Sequence, residues 1–70
     1  MSRNRLVPAV RQWMVTTQGG ETWIVWAPSR VLARLNFRAV CWEPIERGPS
    51  PVRKDYGSPP IPELAKRVQA

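Results

Sequence analysis

Two runs rich in Trp, Val and Thr, Val10–Thr17 and Thr22–Ala27, flank the four residues Gln18, Gly19, Gly20 and Glu21. Aromatic and β-branched side chains suit a pleated, half-buried surface, and glycine reaches positive φ without a Cβ clash. The segment therefore predicts a β-hairpin. An alternating period puts Trp13, Val15 and Thr17 on one face of the first strand. In the second strand it separates Trp23 and Val25 from Ile24 and Trp26.

Pro28 and Ser29 end this strand and open a helix, with Ser29 placed to cap the free N–H groups of the first turn. Helical spacing sets Val31, Leu32 and Leu35 on one side and Arg30 with Arg34 on the other, and Arg38 would extend the basic stripe. Asn36 is a plausible left-handed stop. A helix of about two turns cannot stand alone, so its Leu side is expected to pack on the hairpin. Phe37 to Glu43 alternates again and predicts a third strand.

Of the 8 prolines, Pro44, Pro49, Pro51, Pro59 and Pro60 crowd into one stretch with Gly48, Ser50, Gly57 and Ser58, which reads as an extended linker. Pro62 to Val68 could add a short terminal helix, because Pro suits the first helical position. The expected organisation is a flexible basic arm over 1–9, a compact ββαβ domain over 10–47 and a Pro-rich basic tail over 48–70. The fold class is α+β: a three-stranded, mostly antiparallel sheet with one short helix on one face.

The net charge of +6 favours acidic partners. It is unevenly spread. Residues 1–12 carry Arg3, Arg5 and Arg11 without an acid, residues 13–46 balance three Arg against three Glu, and residues 47–70 carry the remaining excess. With Cys41 as the single cysteine no intramolecular disulfide can form, which fits a reducing compartment. No stretch approaches a membrane span. The start is charged like a signal peptide, but Pro8 and Arg11 interrupt its apolar run, so a cytoplasmic location is expected.

Catalytic chemistry finds little to work with. There is no histidine, which removes the imidazole ligand, base and triad member, and one thiol without histidine cannot make the usual zinc sites. Glu43 and Glu46 are the closest carboxylates, but Pro44 lies between them and neither has an obvious apolar pocket, so an acid/base pair is not expected. Gly19 and Gly20 lack the Gly-Lys-Ser/Thr that a phosphate loop needs. No catalytic residue, metal, cofactor or small-molecule substrate is expected.

Binding features remain. Four Trp are dense for 70 residues, and two or three of them can be assigned to the core. One helix covers one face of a sheet, yet Trp23 and Trp26 lie on opposite faces of one strand. Either of them is expected on the open face, unless the Pro-rich segment folds over it. An exposed Trp beside Arg is a binding anchor for a protein partner or a base. Arg30, Arg34 and Arg38 form either a solvated helix face or a contact for an anionic surface. Pro59 and Pro62 have PxxP spacing, but Tyr56 stands where a basic anchor would help, so a spacer is expected there.

The order Gln12 to Val15, Trp23 to Ala27, Val31 to Leu35 and Val40 to Pro44 resembles that of the RNA-polymerase inhibitors of T7-like podophages. In that family a Trp-containing strand, a strand ending in Ala, a short Leu/Ala helix and a third strand ending in Arg and Pro follow one another. The resemblance covers roughly residues 12–47. It implies a phage-type protein that docks on a host machine, with Arg38 and Arg47 in the place of the strand-three arginines that grip the polymerase. This chain departs in its short helix-to-strand loop, its basicity and its Pro-rich tail. The expected protein-binding set is Arg30, Arg34, Arg38, Arg47, Trp23 and Trp26. The alternative is nucleic-acid binding through Arg3, Arg5, Arg11, Arg53 and Lys54, with Trp stacking on bases. A third reading is a small structural subunit of a larger assembly.

Overall fold

The computed structural model describes residues 10–68. The hairpin forms as its sequence directs: β1 (Arg11–Thr17) and β2 (Thr22–Ala27) pair antiparallel, Trp13 facing Val25 and Val15 facing Trp23. The turn is closed twice by Thr17, whose N–H donates to the Glu21 carbonyl at 2.9 Å and whose Oγ1 accepts from the Glu21 N–H at 3.0 Å. Thr17 is fully buried, so its hydroxyl stays in place only because it has this partner.

Helix α1 (Arg30–Arg38) starts where Ser29 predicts, the Ser29 Oγ accepting from the Leu32 N–H at 3.3 Å. Asn36 does not stop it. Its side-chain Nδ2 donates instead to the Trp26 carbonyl at 3.0 Å, which pins the helix to β2 and lets it run on to Arg38. Residues 37–43 are therefore the end of the helix and a loop, and the expected third strand is not there.

The third strand is β3 (Ile45–Val52), within the stretch expected to be a linker. It pairs antiparallel with β1, with register shifts between Met14 and Thr17. Proline cannot donate to a ladder, but β3 is an edge strand, and there Pro49 and Pro51 cost little. A fourth strand, β4 (Ala65–Val68), pairs antiparallel with β2 and replaces the expected terminal helix. Leu64, at φ 60°, makes the bend into it.

The domain is thus α+β with a four-stranded antiparallel sheet in the order β3-β1-β2-β4 and one helix. The expectation of three strands and a Pro-rich tail is corrected: residues 45–68 supply both edge strands and the connection between them. The N-terminal arm over 1–9, with Arg3 and Arg5, lies outside the described residues.

On the helix side the core is Trp13, Val15, Val25, Ala27, Ala33, Phe37 and Ala65, with Trp23, Val40, Cys41 and Ile45 packed at its margin. The Trp13 Nε1–H donates to the Ala27 carbonyl at 3.0 Å, which satisfies the one polar atom of that ring. On the other side Ile24 and Trp26 are also buried. Because β3 and β4 are opposite edges, the chain from Arg53 to Leu64 has to cross the sheet. Gln12 accepts from the Tyr56 N–H and donates to the Lys54 carbonyl, and the Trp26 N–H donates to the Leu64 carbonyl. Trp26 is 3% exposed as a result. The condition set out for an open-face Trp is met in its second form: the Pro-rich segment folds over it.

Candidate docking surface

Helix α1 turns the side expected to be buried outward. Ala33 and Phe37, four residues apart, are fully buried, while Val31, Leu32 and Leu35 are 69%, 42% and 59% exposed. The physical reason lies in the sheet below. Trp13 and Trp23 already fill the space over the hairpin, so the helix approaches through its small Ala33 and inserts one ring, Phe37. Phe37 meets Trp23 edge to face, with ring centroids 5.7 Å apart. The branched side chains have no room beneath and form an exposed apolar ridge, Val31 and Leu35 being one turn apart.

A second exposed apolar group follows. Trp42, expected in a strand, lies in the loop after α1 and is 83% exposed. Among the four Trp it is the one available as a surface anchor. Trp26 is covered, and Trp23 is half-buried against Phe37, its Nε1–H donating to Glu21 Oε1 at 3.2 Å. Both were expected partner-contact residues. Trp26 is out of reach in this structure and Trp23 mostly serves the core.

The arginines divide between surface and scaffold. Arg30 and Arg34 are exposed and, with Val31, line a groove of about 410 Å³ against Ile45, Glu46 and Pro49 of β3. Arg47 is exposed on the same edge strand, opposite Thr16. Arg38 differs. Its Nη1 donates to the Cys41 carbonyl at 3.2 Å and to the Glu43 carbonyl at 3.1 Å, so the guanidinium closes the loop after the helix and leaves the basic stripe. Among the described residues the one ion pair is Arg67 with Glu21, at 2.9 Å, and Arg30, Arg34 and Arg47 have no carboxylate partner.

Glu21 of the hairpin turn and Cys41 and Glu43 of the loop after α1 bring one ligand atom each within 4.8 Å of one another. Both oxygens of Glu21 are already engaged, Oε1 by Trp23 and Oε2 by Arg67. The tie between the hairpin turn and the loop after α1 is a backbone bond, the Gln18 N–H donating to the Pro44 carbonyl at 2.9 Å. No helix among the described residues is long and apolar enough to cross a membrane.

The set that sequence reasoning missed is Val31, Leu32, Leu35 and Trp42. A signal was present, since Ala33 and Phe37 make an equally good i, i+4 pair, but the larger aliphatic set outweighed them. Comparison with protein-family models, curated proteins and solved structures finds no match. The fold and the surface define a small α+β domain with a four-stranded antiparallel sheet and an apolar, arginine-flanked helix ridge.

Proposed function

We propose that this chain is a non-enzymatic, phage-type binding protein that docks on a host protein machine in the cytoplasm and inhibits or modulates it, with bacterial RNA polymerase as the first candidate. The observation that carries the proposal is the outward ridge of α1. Three aliphatic side chains and a nearly free Trp42 in so small a domain are costly to leave in water, and grouped apolar exposure of this kind marks partner contact. Arg30 and Arg34 beside the ridge, and Arg47 on the adjoining edge strand, suit a partner with carboxylates around an apolar centre. Arg guanidinium groups bind such carboxylates in pairs of parallel hydrogen bonds. The resemblance to podophage polymerase inhibitors is what puts polymerase first; its third element, Val40 to Pro44, is a loop in this chain, and of Arg38 and Arg47 only Arg47 lies on a strand.

The test is capture from a nuclease-treated bacterial lysate, followed by transcription assays with purified polymerase. Wild-type protein retains a stoichiometric protein partner through moderate salt and lowers transcript yield. The Leu35→Glu variant, changed at an exposed site, does neither. Loss of every protein on nuclease treatment would sink the proposal, and equal capture by Leu35→Glu would remove the ridge from it.

A further inference from the structure

A second surface lies away from the helix ridge. Gln12 and Val52 are the outermost pair of the β1–β3 ladder. One step further out, the antiparallel register brings Arg11 and Arg53 to facing positions. Like charges placed opposite each other on a sheet repel. Both are exposed, and neither belongs to an ion pair among the described residues. Together they line a groove of about 800 Å³, whose walls include Gln12, Trp26, Ser58 and Pro59. Asp55 also lines it, but its Oδ1 accepts from the Gly57 N–H at 2.8 Å, which holds the carboxylate in its own turn.

The same end of the domain collects further cations. Arg11 pairs in register with Ala27, and α1 begins three residues later at Arg30. Lys54 follows Arg53, its Nζ 5.3 Å from the centre of the Tyr56 ring. Three cations, Arg11, Arg53 and Lys54, thus stand near Asp55 at this end, while Arg30 shares the other groove with Glu46. At the opposite end Glu21, Glu43 and Glu46 flank the hairpin turn and the start of β3, and there Arg67, Arg38 and Arg47 stand among them.

We infer that this basic end is a binding site for the phosphate backbone of a nucleic-acid strand. Two exposed guanidinium groups lining one open groove match a chain of phosphates, which carries one charge at each repeat. Lys54, next to Arg53, brings a third cation to this end, its Nζ held over the half-buried Tyr56 ring. The site does not include the helix ridge, so it stands or falls independently of the protein partner.

The experiment is fluorescence anisotropy of the full chain with an end-labelled oligothymidylate of about 20 nucleotides at low and moderate salt. Arg11→Gln with Arg53→Gln is compared with a charge-matched control, Arg47→Gln with Lys66→Gln. The first pair weakens binding by roughly tenfold or more and lowers the salt slope by about 1.5, as expected for two lost phosphate contacts to a single strand. The control changes affinity by less than about threefold. Equal loss in both double variants would show a diffuse charge effect and overturn the site. So would absence of saturable binding at low salt. Competition by polyglutamate as strong as by unlabelled oligonucleotide would overturn the nucleic-acid assignment.

Discussion

Gln12 holds Tyr56 to the sheet. The side-chain Oε1 accepts the Tyr56 N–H at 2.7 Å while its Nε2 donates to the Lys54 carbonyl at 2.6 Å. One carboxamide thus clamps both sides of Asp55, at positions 42 and 44 residues downstream, and keeps the crossing segment over Trp26. Gln12→Ala is expected to destabilise the domain by about 1–3 kcal/mol, the range for losing two side chain-to-backbone bonds. Gln12→Glu keeps the acceptor, loses the donor and sets a carboxylate against a carbonyl, so it is expected to be no better. Urea unfolding measures the loss, and quenching of Trp fluorescence by acrylamide reports the uncovering of Trp26.

The two sides of α1 make opposite predictions. Phe37 is fully buried and its replacement by Ala should cost about 3–5 kcal/mol, enough to unfold much of a domain this small. Leu35→Ala and Val31→Ala, on the exposed ridge, should stay within about 0.5 kcal/mol. Thermal melts of the three variants decide the matter. A large loss for Leu35→Ala would mean that the ridge is core after all.

Gly48 is constrained twice over. Its φ is +102°, and a Cβ added there would stand 2.3 Å from the Met14 carbonyl oxygen on β1. Gly20 also has positive φ, at +89°, but open space around it. Gly20→Ala should cost about 1 kcal/mol from backbone strain alone, whereas Gly48→Ala adds displacement of β3 from β1 and should exceed 2 kcal/mol. Chemical denaturation of both variants, compared at the same midpoint slope, gives the difference.

Arg38 is expected to act through the loop it closes. Arg38→Lys retains the charge but cannot reach the Cys41 and Glu43 carbonyls with one planar group, and a loss of about 1 kcal/mol is expected. Arg34→Lys, at an exposed site, should leave stability unchanged. Equal stability of the two variants would return Arg38 to the solvated stripe.

The hairpin and the start of the helix were legible because local chemistry settles them: a Gly-Gly turn between β-rich runs, and a serine cap after Pro28. What followed Leu35 was misread because local signals there are subordinate to tertiary ones. Asn36 has the chemistry of a helix stop, but the Trp26 carbonyl takes its amide. Phe37 to Glu43 alternates like a strand, yet Phe37 is needed under the helix. Pro49 and Pro51 argue for a linker only if the strand they occupy is central, and the sequence does not say that β3 is an edge. Ala65 to Val68 has little strand propensity of its own and is held by β2. The apolar composition of the docking ridge was visible, but its direction depended on how much room two tryptophans leave beneath a helix.

The strand order also bears on how the chain comes into being. The two inner strands and the helix are encoded within residues 11–38, and both outer strands come from residues 45–68. During synthesis the hairpin therefore emerges first with both flanks bare and Trp26 in water. Only when the last quarter of the chain leaves the ribosome can β4 and the crossing segment shut one flank and the open face together. Until then the nascent chain offers a sticky, half-finished sheet, and the proline-marked stretch acts as the closing stitch of the fold.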